Sequence, residues 1–142
     1  MNKIEVHHFG KIKSSEYQIL AAYYQKLISK YYSIRLVTHK DVGEKSITAR
    51  DLPQTENLII LDDAGKSFET KTFASFVAQK IVDFPTINFV VGNAYGFAAE
   101  VKQRFQTLSL SPMTLAHELT IVVLLEQLYR VFNLQAGGKY HK

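Results

Sequence analysis

The chain contains no cysteine, which excludes a disulfide framework and a thiolate-held metal and suits a reducing compartment. No apolar run approaches the ~20 residues that span a bilayer. The opening segment Met1-Asn2-Lys3-Ile4-Glu5 has no apolar core of the kind that secretion signals carry. A soluble, cytoplasmic protein away from membranes is therefore expected. Internal repeats, low-complexity tracts and linkers are also missing, so residues 1–142 are expected to form a single domain. No phosphate loop ends in Lys-Ser/Thr, and no three-glycine dinucleotide fingerprint occurs. No helix-borne His/Glu pair has metal spacing, and no serine sits in a nucleophile context, so no metal is expected.

What is present is ordinary for a globular protein: 46% hydrophobic and 21% charged residues over 142 positions, enough to bury a core without staples. The net charge of +4 is compatible with a polyanionic partner, a weak pointer by itself. Strand character runs over residues 4–9, where the adjacent His7 and His8 point to opposite faces. Ser14 or Ser15 is placed to cap a helix over residues 16–31, in which Tyr17, Leu20, Tyr24, Leu27 and Tyr31 recur at helical spacing. A second strand covers 33–38. Residues 39–57 are polar and expected to be a loop with at most one helical turn.

Leu58-Ile59-Ile60-Leu61 reads as a strand buried on both faces, followed by a turn over 62–66. A helix is expected over 70–83, stopped by Pro85, then a buried strand over 87–91, the run Gly92-Asn93-Ala94-Tyr95-Gly96, a short helix over 97–105 and a last strand over 108–110. The stretch Ser111-Pro112-Met113-Thr114 then opens the longest apolar-periodic segment, a helix running from His117 to about Asn133. Its apolar arc of Ile121, Leu124, Leu125, Leu128, Tyr129, Val131 and Phe132 covers roughly half the helix, wide enough for two neighbours such as its own sheet and another subunit. His117 falls inside that arc.

Strands and helices alternate, which predicts an α/β fold with a mostly parallel sheet and helices on both faces. In such sheets ligands bind beyond the carboxyl ends of the strands. Three such ends (Leu61-Asp62, Gly92 to Gly96, and Ser111 to Thr114) carry small or turn-forming residues that admit a ligand close to backbone. They predict a small-molecule site.

The segments Leu61-Asp62…Gly65-Lys66, Val91-Gly92-Asn93-Ala94-Tyr95-Gly96-Phe97, Leu108-Ser109-Leu110-Ser111-Pro112-Met113-Thr114-Leu115-Ala116-His117, Leu124-Leu125-Glu126-Gln127-Leu128-Tyr129-Arg130 and Gly138-Lys139-Tyr140-His141-Lys142 occur in this order. Together the set resembles the bacterial large-subunit rRNA methyltransferase H family, minimal SPOUT (knotted) methyltransferases. The resemblance implies a C-terminal trefoil knot, a homodimer, and methyl transfer from S-adenosyl-L-methionine to N3 of a pseudouridine in large-subunit (23S) rRNA. Carried over by position, cofactor contacts fall on Leu61, Gly92, Gly96, Leu110, Ser111, Pro112, Met113, Thr114 and Leu115. His117, Tyr140 and His141 become the candidates for catalysis, with His117 or His141 as proton acceptor. Lys102, Arg104, Arg130, Lys139 and Lys142 are candidates for RNA phosphate contacts.

This chain departs from the family pattern at three places. Gly92-Asn93-Ala94 stands where Gly-Gly-Pro is usual, Ala116 where a proline often precedes the histidine, and Ile121 where arginine is common. Two functional readings follow: an active rRNA methyltransferase, or a catalytically weak or inactive dimer of the same fold that binds RNA or ribosomal particles. A flavodoxin-like nucleotide binder fits the coarse pattern but not the missing phosphate loop.

Overall fold

The structure, a computed structural model, describes residues 2–55 and 57–142. Met1, part of the opening segment judged against a leader, and Glu56, inside the 39–57 loop, lie outside the described residues. The elements in chain order are β1 (Lys3–Phe9), α1 (Ser15–Ile28), β2 (Ser33–His39), a 3₁₀ turn (Ala49–Asp51), β3 (Leu58–Ser67), α2 (Thr70–Asp83), β4 (Thr86–Val91), α3 (Ala99–Arg104), β5 (Gln106–Ser109) and α4 (His117–Gln135). All five strands pair in parallel in the order β2-β1-β4-β3-β5.

That order decides which face each connection covers. Crossovers between parallel strands are right-handed, so those stepping in the same direction across the sheet lie on the same face. β1 to β2 and β3 to β4 step one way, which brings α1 and α2 onto one face. β2 to β3 and β4 to β5 step the other way, which puts the 39–57 crossover and α3 on the opposite face. The expected helices on both faces are present, though unequally.

α4 lies on the first face and packs along both α1 and α2. Its buried Ile121, Leu124, Leu125, Leu128, Val131 and Phe132 join Ile4, Val6, Ile59, Ile87, Phe89 and Val91 from the sheet in the main core. The width of the apolar arc is thus explained inside the chain, by two flanking helices besides the sheet, without invoking another subunit. A smaller core on the opposite face gathers Ile47, Leu52, Leu58, Ile60, Val90, Phe97, Val101 and Phe105.

Beside that smaller core, the β1–β2 end of the same face is polar. His7 Nε2 lies 3.0 Å from Asn88 Oδ1, and His7 Nδ1 lies 2.8 Å from His39 Nε2. Asn88 Nδ2 donates to Asn57 O at 3.3 Å, so Asn88 Oδ1 is left to accept from His7 Nε2–H. His7 Nδ1 then accepts from His39 Nε2–H, which makes the His7 ring neutral. Burial holds His7 and His39 below the usual histidine range. Glu5 pairs with Arg35 at the edge of this cluster. His8 points to the other face, as expected from strand alternation, with Nδ1 3.0 Å from Gly10 O and Nε2 3.1 Å from Thr38 Oγ1.

Ser14 is the residue that caps α1, its hydroxyl accepting from Tyr17 N. Among its described residues the 39–57 segment holds one 3₁₀ turn, Ala49–Asp51, in line with the expected single helical turn at most. Residues 62–66 require a correction: β3 continues through them to Ser67 instead of turning. Leu61 and Lys66 both pair with Leu108, so residues 62–65 bulge while the strand resumes on the same partner. Gly65 sits where a Cβ would meet Leu108 N at 2.9 Å. The Asp-Asp-Ala-Gly composition therefore encodes a bulge with close backbone approach, which local propensity does not separate from a turn.

Candidate active site

β3 lies between β4 and β5, so its carboxyl end is flanked by theirs. The three segments leaving these strands enclose one open cavity of about 300 Å³. Leu61, Asp62 and Asp63 form its floor, residues 91–97 one wall, and Leu110, Ser111, Met113, Thr114 and Leu115 the other. Lys102, His117 and Thr120 complete the rim. Residues separated by 50 positions in sequence thus share a single pocket at the lower end of the usual small-molecule range.

The walls are shaped by backbone and by short polar ties. Gly92 admits the Phe97 ring, which a Cβ would meet at 2.9 Å, and Gly96 takes a φ of 70°, a conformation glycine adopts without strain. On the opposite wall Thr114 donates its hydroxyl to Asp63 Oδ2 at 2.7 Å. Ser109 Oγ lies 3.1 Å from Asp63 O and 2.8 Å from Ser111 O. The Met113 amide donates to Ser111 Oγ at 3.0 Å. Asp63 therefore binds the loop after β5 to the bulge of β3.

Of the residues proposed from sequence for the cofactor, Leu61, Gly92, Gly96, Leu110, Ser111, Met113, Thr114 and Leu115 reach this cavity. Pro112 lies in the same loop but off its wall. His117 also lines it, from the first turn of α4. Its Nε2 stands 3.8 Å from Glu118 Oε2. Burial opposes ionisation of Glu118, but the amides of Lys13 and Ser14, donating at 3.1 and 3.2 Å, hold its carboxyl below the ordinary range. Glu118 so fastens the loop after β1 to the turn that carries His117. Ile121, at the position where arginine is common in the resembling family, is completely buried in the core; Thr120 beside it faces the cavity instead.

Tyr140 and His141 are elsewhere. The Tyr140 hydroxyl donates to Glu126 Oε2 at 2.7 Å, and its ring packs edge-on to Tyr129 at 4.7 Å and beneath the Arg130 guanidinium at 4.7 Å. Arg130 donates to Glu126 Oε2 at 2.6 Å and lies 3.1 Å from His141 Nδ1. Burial and then the neighbouring Glu126 raise the Tyr140 phenol well above its usual range. Glu126 is nine residues beyond His117 on α4, about 14 Å along the helix, so within one chain the tail stays clear of the cavity. Arg104 lies over the Phe105 ring at 4.9 Å, beside a second, smaller cavity. Lys102 pairs with Asp62 at 3.5 Å, and Lys139 and Lys142 are exposed.

Asp63 and Thr120 on the wall were missed from sequence. The only available signal for Asp63 was its place next to Asp62 at a strand end. Among the described residues no cluster of three or more His, Asp or Glu is placed to hold a metal ion, and no helix is long and apolar enough to cross a membrane.

A parallel α/β sheet with an open cleft over adjacent strand ends defines a class of small-molecule and cofactor-binding domains. Comparison with known proteins narrows it. The family described as "Predicted SPOUT methyltransferase" matches residues 2–141. The chain is 31% identical to the ribosomal RNA large subunit methyltransferase H of Symbiobacterium thermophilum, over 94% of this chain and 95% of the relative. It is 34% identical to the protein of that name from Pseudothermotoga lettingae, covering 98% and 99%. For that of Malacoplasma penetrans the figures are 30% identity with 99% of each covered. The chain belongs to the SPOUT methyltransferases and, among them, to the ribosomal RNA large subunit methyltransferase H family.

Proposed function

We propose that this protein is an active S-adenosyl-L-methionine-dependent methyltransferase acting on N3 of a pseudouridine in large-subunit rRNA. The observation that supports it most is the convergence of Leu61, Gly92, Gly96, Leu110, Ser111, Met113, Thr114 and Leu115 on one open cavity, positions the family resemblance assigns to the cofactor. The cavity fits that group chemically. Its walls offer backbone donors and acceptors for adenine and ribose, and Asp63 brings negative charge for a sulfonium or ammonium, Asp62 being paired with Lys102. The cofactor supplies a methyl group on a sulfonium, a good leaving group that needs alignment more than covalent help.

The chain's own residues then supply orientation and proton handling. The loops at 92–96 and 110–115 would hold the cofactor, in the part of the chain where the resemblance implies a trefoil knot. His117, partly exposed at the rim, would accept the N3 proton through its imidazole, the methyl group being what the bound cofactor would supply. Lys139 and Lys142 are placed in the open for RNA phosphates, whereas Arg130 serves the tail. Arg104 is retained as a phosphate contact.

We infer that the homodimer implied by the resemblance forms through the surface of α1. Ile19 and Tyr23 are 68% and 55% exposed, one turn apart on the helix. Tyr23 packs on Tyr24, Tyr24 and Tyr31 on Tyr129, and Tyr129 on Tyr140, which joins the exposed rings into one apolar surface beside the tail. Pairing two copies through it would bury these groups, and we infer that each tail, with Tyr140 and His141, then serves the other copy's cavity.

The test is transfer of labelled methyl from S-adenosyl-L-methionine to ribosomes from a strain without this protein. Label on large-subunit rRNA is expected, and His117→Ala should bind the cofactor but transfer at least about 100-fold more slowly. Cofactor binding without any labelling would favour the non-catalytic, ribosome-associated reading.

A further inference from the structure

The wall formed by residues 92–97 has no proline, the chain's three being Pro53, Pro85 and Pro112, and it follows β4 without helix or strand as far as Ala98. Something else must fix its course. Asn93 Nδ2 donates to Lys45 O at 2.9 Å, while Asn93 Oδ1 accepts from the Tyr95 amide at 2.9 Å. One carboxamide thus closes a turn inside the loop and ties it to a segment 48 residues earlier. Three further bonds join the same two segments. Ser46 Oγ donates to Tyr95 O at 3.0 Å. Ile47 N donates to Gly96 O, and Ala98 N to Ile47 O, both at 2.9 Å.

Ile47, with no exposed surface, inserts beside Phe97 in the smaller core and forms a parallel bridge with it. The 45–47 segment of the crossover, which looks like filler in sequence, therefore backs the cavity wall. The backbone pairs at Ile47 act from Gly96 onward. Asn93 alone among the side chains of the loop reaches both Tyr95 and the crossover.

We propose that Asn93 is a positioning residue for the cofactor: its carboxamide holds the 92–97 wall in its binding shape by pinning it to the 45–47 segment. The inference rests on the reading of the cavity as the S-adenosyl-L-methionine site. Without the pin the wall samples other courses, and ordering it on binding subtracts from affinity. The chemical step, which belongs to the opposite rim at His117, is left alone.

The two bonds can be separated. Asn93→Asp keeps an acceptor for the Tyr95 amide but turns an acceptor toward Lys45 O, so it breaks only the tie to the crossover. Asn93→Gly removes both. Calorimetric titration with S-adenosyl-L-methionine and steady-state methyl transfer to ribosomes are measured for the three proteins, with amide exchange of the unliganded forms. Asn93→Asp is expected to weaken cofactor affinity about fivefold to tenfold, the scale of one ordering hydrogen bond, and Asn93→Gly more. KM for the cofactor should rise in step, while kcat at saturation and the melting temperature stay near the parent's. Faster exchange should be confined to Tyr95, Ile47 and their neighbours.

If both variants bind the cofactor within about twofold of the parent, or if kcat falls while KM holds, the positioning role is wrong. A parent protein that does not bind S-adenosyl-L-methionine overturns the reading beneath it instead. Slower exchange at residues 45–47 when the cofactor binds the parent would support the pin directly.

Discussion

The cavity and the C-terminal tail hold the residues on which methyl transfer is proposed to depend, and they are kept in place by opposite means. The cavity wall is largely backbone, with Gly92, Gly96 and the loop after β5 set by where three strands end. A few side chains, Asn93, Asp63 and Ser109, fasten it. The tail belongs to no strand or helix and is held mainly by side chains: Tyr140 on Glu126 and Arg130, the Tyr140 amide on Asn133 Oδ1 at 3.1 Å, and Asn133 Nδ2 on the Tyr31 hydroxyl at 3.1 Å. A wall of backbone tolerates changes of side chain but not of course. A tail held by side chains can be released by one substitution with the rest of the molecule intact.

Both regions lean on α4, and the largest expected effect removes that shared support. Leu128, fully buried on α4, becomes a cavity in Leu128→Ala, with a loss of about 3 kcal/mol of stability in urea unfolding. A loss under about 1 kcal/mol would mean that α4 is not the common frame.

Gly138→Ala separates the two regions. A Cβ there would lie 2.3 Å from Asn133 Oδ1, so Asn133 must swing away and give up Tyr140 N and Tyr31. Methyl transfer to ribosomes should fall about tenfold while cofactor affinity changes by less than about twofold, consistent with losing one or two hydrogen bonds. An equal fall in cofactor affinity would show that the two regions are not independent.

The smallest effect concerns acidity and should spare the distinction altogether. His7, His8 and His39 are all held below the ordinary histidine range, mainly by burial. The unfolded chain takes up their protons first, so their neutral forms contribute full stability above about pH 6.5 and progressively less as the pH falls toward the lowered values. The melting temperature should therefore drop by a few degrees between pH 7.5 and 5.5, and less so in His7→Asn. Glu118 and Glu126, whose carboxyls are depressed, lose their contribution only at lower pH, below the usual carboxylate value. A melting temperature that rises on acidification would contradict this assignment of buried neutral histidines.

Much of this architecture is legible from pattern. Leu58-Ile59-Ile60-Leu61 and the 87–91 run declare buried parallel strands, and the strand ends at Leu61, Gly92 and Ser111 mark the cavity, because apolar runs and small residues are local signals. What pattern does not carry is pairing across long separations. Residues 39–57 look uncommitted because the partner of Ile47, Phe97, is 50 positions away. The Asp62 to Gly65 bulge looks like a turn because its identity depends on Leu108. The breadth of the α4 arc signals more than one neighbour, but neither that there are three nor that α1 and α2 join the sheet among them. Tyr140 and His141 are assigned to catalysis by resemblance alone, and nothing in their own sequence reveals that Glu126 and Arg130 engage them first.

The strand order also sets a schedule for synthesis. β5 joins the sheet last, at its edge beside β3, and the remaining cavity wall is the segment just after it. A chain emerging from the ribosome can pair its first four strands and still lack a binding pocket until more than three-quarters of its length has been translated. Fragments ending before Leu115 would be catalytically silent however well they fold, which keeps unfinished copies from competing for the metabolite.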